Sequence, residues 1–151
     1  MADLVSNISK GRFVHYGAVA QAGTGGAKLV AIVLSAAGLG TDDQLQDAAT
    51  VTAILAVATE QTTMGRKTLS GVTATVNNTA NTASLDANDV TWTSAAGSAT
   101  GKLVIAFDPT GSSGDGALIP LSVHDFAVTP DGTDITAQIN AAGLAVAENA
   151  P

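Results

Sequence analysis

The sequence predicts a β-rich α+β domain: an antiparallel sheet or sandwich of about eight strands with one helix, at about 42–59. Three observations lead there. Gly and Pro cut the chain into short pieces, with turn chemistry at 21–26, 109–116 and 129–132. Apolar residues alternate with period two or run continuously in most pieces, and recur at helical spacing in one. One helix is too few to cover a doubly wound parallel sheet, which needs helices on both faces. At 151 residues the chain has the length of one domain. It divides into an N-terminal arm (1–10), a single β-rich domain (11–147) and a short tail (148–151).

In order, Arg12 to Val19 reads as a first strand, rich in aromatic and branched side chains. Gln21 to Gly26 is a flexible turn, and Lys28 to Leu34 is an apolar run short enough for a buried strand. These two strands are expected to form a hairpin. Thr41-Asp-Asp-Gln44 matches a capping box, with Asp42 and Asp43 favoured by the helix dipole. Leu45, Ala48, Val51 or Thr52, Ile54, Leu55 and Ala58 follow as an apolar stripe. Leu69 to Val76 alternates as a strand with one wet face, and Asn77 to Asn88 is expected to be a turn or exposed arm. Val90 to Thr93, Lys102 to Phe107, Leu118 to Val128, Thr133 to Asn140 and Gly143 to Ala147 complete the strands.

Composition narrows the function. Thirteen acidic against six basic residues leave a net charge of -7. That balance argues against nucleic acid and anionic membranes, which need Lys/Arg clusters. Cysteine is absent, so disulfides, thiolate metal sites and thiol catalysis are excluded. The first eight residues have no basic n-region, so no secretory signal is expected there. The longest apolar run, Leu29 to Leu34, is far short of the ~20 residues of a membrane span. Aromatic residues make up 3%, too few for a sugar-stacking surface.

The side chains capable of chemistry each have a plain alternative. His15 is expected to be a packed or rim histidine of the first strand. Ser122-Val-His124-Asp125 holds the letters of a nucleophilic triad, but neighbours in a strand point to opposite faces. Ser122 and His124 share a face and are within reach of a hydrogen bond, with no third group expected to orient the imidazole. Asp86-Ala-Asn88-Asp89 and Asp131-Gly-Thr-Asp134 read as turns, since neither continues to the bidentate Glu of a calcium loop. No metal or cofactor is expected. Glu60-Gln-Thr-Thr-Met-Gly-Arg66 is the densest polar patch, in which Glu60 and Arg66 are placed either to pair or to meet a partner.

Three stretches carry a resemblance: Glu60 to Leu69, Leu85 to Trp92, and Gly101 to Pro109 followed by Leu118 to Asp125. In this order they resemble small virion proteins of tailed bacteriophages, especially phages of actinobacteria. The resemblance implies a structural role without an active site: a capsid decoration protein on the outside of the head, or alternatively a minor tail or other virion component. It also implies assembly in the host cytoplasm, the major capsid lattice as partner, and further copies of the chain, expected as a homotrimer from the three-fold sites of a shell. Leu4, Val5 and Ile8 give the arm an apolar edge, so these residues and the Glu60–Arg66 patch are the expected contacts.

Overall fold

The computed structural model describes residues 3–140 and 143–148. Its centre is a five-stranded antiparallel sheet of β1 (Leu4–Val5), β2 (Lys28–Ser35), β3 (Lys67–Thr68), β7 (Thr100–Asp108) and β8 (Ile119–Asp125). The strand order is β1-β8-β7-β2-β3. A three-stranded sheet has the order β10-β5-β4, from β4 (Thr73–Asn77), β5 (Thr82–Asp86) and β10 (Ala145–Glu148); β6 (Val90–Trp92) pairs with β9 (Ile135–Ala137). All pairings are antiparallel.

β2 and β7 read as continuous apolar runs because both of their faces are buried. Leu29, Ala31, Val33, Leu103, Ile105 and Phe107 join a core with Phe13, Leu85 and Trp92. Val30, Ile32, Leu34, Val104 and Ala106 join a second core with Leu45, Val51 and Ile54. The central sheet is therefore a partition between two apolar layers, which is how a chain so poor in aromatics excludes water.

Three elements differ from the sequence reading. The expected strand at 12–19 is a helix, α1 (Phe13–Ala22), so there is no hairpin with β2. Gly23 ends it in the left-handed region (φ 63°), its N–H returning to Ala20 O. Tertiary packing overrides the strand-forming composition: Gly17 has no side chain, and a Cβ there would sit 2.4 Å from Leu85 Cδ1. α1 can thus lie close on β4 and β5, and Tyr16 stacks on Phe107 (centroids 5.0 Å).

The single helix expected over 42–59 is two, α2 (Asp42–Asp47) and α3 (Val51–Leu55). The capping box at Thr41 and Gln44 is present. The chain turns extended at Ala48, and Thr50 caps α3 by accepting from Ala53 N–H. Val51 and Thr52 donate to Leu118 O and Asp115 O, so an outside segment takes the N–H groups that a continuous helix would use internally. The stripe survives the break, since Leu45, Ala48, Val51, Ile54 and Ala58 are all buried.

The third difference is at 77–88, where the expected turn or exposed arm contains β5, the middle strand of its sheet. Asn77 Oδ1 accepts from Thr79 and Ala80 N–H and shapes the hairpin tip. The N-terminal arm is likewise no free arm over its described residues: Leu4 and Val5 pair with Val123 and Ser122 at the sheet edge. The tail beyond 148 lies outside the described residues.

Candidate functional site

Ser122 and His124 alternate along β8 and point to one side, as their spacing requires. His124 Nε2 lies 2.8 Å from Ser122 Oγ. On the other side of the ring, His124 Nδ1 lies 3.4 Å from Asp3 Oδ2. Asp3 is held there because Asp125 N–H donates to its Oδ1 (2.9 Å). The expectation that no third group orients the imidazole is corrected: Asp3 does, brought in when β1 pairs with β8. Nothing in the local sequence announces this contact across 121 positions.

The three side chains have the order of a hydrolytic triad but not its access. Ser122 is only 1% exposed. A nucleophilic oxygen must approach the reacting atom to about 3–3.5 Å, and this hydroxyl has no open face for that approach. A cleft of ≈ 540 Å³ lies alongside, lined by Asp3, His124, Phe126 and Gln138 among others, yet Ser122 does not line it. The arrangement ties the N-terminal segment to β8 by a carboxylate–imidazole–hydroxyl chain.

Glu60 and Arg66 do pair. Arg66 Nε donates to Glu60 Oε1 (2.8 Å) and its second terminal nitrogen to Oε2 (2.6 Å). The remaining terminal nitrogen donates to Asp115 Oδ1 at 2.6 Å, a partner from the 109–116 loop. Glu60 first and Asp115 second hold the guanidinium charged far above its ordinary range. Between them, Gln61 is buried and fully bonded. Its Nε2 donates to Ala96 O and Ser98 O, and its Oε1 accepts from Thr63 and Met64 N–H. Trp92 Nε1 donates to Gly65 O (2.9 Å) on the same turn. The densest polar patch is therefore a junction of three loops.

The largest polar feature missed in the sequence is Lys102, whose side chain is 0% exposed. It sits opposite Asp125 in the β7–β8 register and on the α2 side of the sheet. Its Nζ is 2.7 Å from Asp125 Oδ1 and 3.1 Å from Asp42 Oδ1, fastening the start of α2 to the sheet. Burial alone would push its pKa down, but Asp125 and Asp42 outweigh burial and raise it. Asp125 is lowered in turn, chiefly by Lys102. The usable signal was a lone base inside an apolar strand, since an ammonium there requires carboxylate partners.

The acidic turns spend their carboxylates on N–H and hydroxyl groups of the protein, some local and some from another segment. Asp131 accepts from Thr133 N–H and hydroxyl, Asp134 from Ser94 N–H, Asp86 from Ala87 N–H and Asp89 from Ile139 N–H. Among the described residues no group of three or more His, Asp or Glu is placed to hold a metal ion. Nor is any described helix long and apolar enough to cross a membrane. Asp108, 3% exposed, organises the 109–116 loop by accepting from Thr110, Gly111 and Ser113 N–H. Burial would raise its pKa, and the Ser113 hydroxyl with these N–H groups brings it below the ordinary value.

Of the expected contact residues, Leu4 and Val5 are half-buried in β1, while Ile8 is 43% exposed. His15 is exposed on α1, tilted against Tyr16 at 5.8 Å, and not at a strand rim. Geometry and polar contacts together define a β-rich scaffold whose functional-looking side chains brace its own loops. Comparison with known proteins finds no matching family model, curated protein or solved structure.

Proposed function

We propose that this chain is a virion structural protein: a capsid decoration protein that docks on the outside of a tailed-phage head and reinforces the shell. The observation that carries this reading is the commitment of its reactive-type groups to its own fold. Ser122 is sealed behind His124, Arg66 is held by Glu60 and Asp115, and Lys102 is buried between two aspartates. A part that acts by shape and rigidity needs such internal bracing and no open nucleophile. The acidic surface, at net -7, suits the outer side of a shell, away from packaged DNA. The resemblance of residues 60–69, 85–92, 101–109 and 118–125 to phage virion proteins points the same way. On this reading the partner is the major capsid lattice, no step is catalysed, and the protein assembles in the bacterial cytoplasm before residing on the virion.

The test is electron cryo-microscopy of virions that carry the chain. Density on the outer lattice at on the order of hundreds of copies per head is the expected result, since a closed shell repeats each site by symmetry. A few copies at the tail would assign it to the tail instead. Absence from purified particles overturns the proposal altogether.

A further inference from the structure

Among the described residues, the outer edge of β4 is the one strand edge with no charged residue in or next to it. Exposed edges are normally blunted by charge, Pro, bulges or short length. Among the described residues every other edge strand holds or directly adjoins a charged residue. β1 follows Asp3, β3 contains Lys67, β6 follows Asp89, β9 follows Asp134 and β10 ends at Glu148. β4, Thr-Ala-Thr-Val-Asn, has none, and it lies within the longest stretch without a charged side chain, residues 68–85.

The orientation of its backbone is fixed by one contact. Ala74 N–H donates to Gln21 Oε1 from α1 (3.0 Å), so this N–H faces away from β5. In an antiparallel ladder the outward-facing groups alternate, which turns the N–H and C=O of Val76 to the open edge as well. The Val76 side chain is 63% exposed, the most exposed large hydrophobic described.

We propose that two copies of this chain pair through β4, antiparallel and about a two-fold axis, with Val76 opposite the partner's Val76. The occupant is a second copy for two reasons. Copies with net charge -7 repel one another, and they approach at least cost where charge is sparsest: β4, residues 82–85 of β5 and the helix α1 behind them, which has no Asp, Glu, Lys or Arg. The strand is also self-complementary, because centring the pair on Val76 exchanges two main-chain bonds and sets β-branched side chains together. That register places Ala74 opposite the partner's Asn78 and leaves the Gln21 cap in place. The result is an isologous dimer where shell symmetry suggested a trimer. The inference holds whether or not the chain decorates a capsid.

Sedimentation velocity on the full chain, from about 1 to about 200 µM, covers the affinities of an interface at the small end of the size range. The wild type is expected to pass from monomer to dimer, with tighter association as added salt screens the like charges. Val76→Lys, at an exposed position, is expected to keep the melting temperature and raise the dissociation constant at least ~10-fold. Val76→Pro removes the outward N–H without touching the β4–β5 ladder and should do the same. Val146→Lys, exposed on the opposite face of the same sheet, should leave the dimer intact. A wild type that stays monomeric throughout overturns the proposal, as does a dimer weakened equally by Val146→Lys, or one that survives both Val76 variants.

Discussion

Lys102 offers the sharpest test of how the fold is held. Replacing Asp42 and Asp125 together by Asn leaves an ammonium at 0% exposure facing two neutral amides. Removing the charge partners of a buried ion typically costs about 3–5 kcal/mol. For a domain of this size each kcal/mol shifts the melting temperature by roughly 2–4 °C, so the fall should be about 6–20 °C. Lys102→Met keeps the apolar stem and removes the charge. It leaves two aspartates that are 30% and 43% exposed to water, so it should cost only about 0–1.5 kcal/mol. Urea denaturation gives both values, and pH adds an independent sign. In the wild type the raised Lys102 pKa contributes stability that is complete below 10.5 and declines as pH climbs through the folded value. In the double Asn variant burial acts with those two carboxylates gone and lowers the pKa. Its stability should therefore rise with pH up to the ordinary lysine value. Equal losses in the Met and double Asn variants, or pH slopes of the same sign, would refute the reasoning.

Gly97→Ala forces a side chain at φ 109° and sets a Cβ 2.1 Å from Gln61 Nε2, so about 2–4 kcal/mol should be lost in urea titrations. Because Gln61→Ala removes the same bonds, the double variant should lose much less than the sum of the singles. The lowered Asp108 pKa contributes stability above the ordinary carboxylate value of 3.8, lost as pH falls through the folded value. Asp108→Asn should flatten that acid limb and make the 109–116 loop a preferred site of limited proteolysis. His124→Gln should cost less than about 1 kcal/mol in urea titrations and, on the proposed virion role, leave incorporation into particles unchanged on quantitative gels.

The fold class was legible because it rests on period and punctuation, and β2, β6, β7 and β8 all lie where their apolar residues put them. The core stripe from Leu45 to Ala58 was legible too, although its backbone was not. The break at 48–50 depends on Leu118 and Asp115 carbonyls that arrive from far along the chain. α1 was misread because Phe13, Val14, Tyr16 and Val19 favour strands, while the fit of Gly17 against Leu85 exists only once β5 is in place. β5 itself was hidden by its small side chains. The Glu60–Arg66 pair was visible from six-residue spacing and its third member Asp115 was not. Ser122 and His124 were legible by alternation, whereas Asp3 required knowing that β1 joins β8.

The pairing of β2 with β7 also governs how the chain must fold. Lys28 lies opposite Asp108, so the central ladder closes a loop that contains α2, α3 and four further strands. Closing a long loop costs entropy before any contact returns it, and sheets dominated by such pairings form in milliseconds to seconds. On the ribosome, one edge of β2 can therefore be met by residues 59–69 while the other waits for β7, and the β4–β5 hairpin, which needs only local contacts, takes shape in the meantime. An N-terminal fragment ending before residue 100 can cover only the edge of β2 that meets residues 59–69 and leaves the β7 edge open, which makes completion of the central sheet an event that belongs to the C-terminal third.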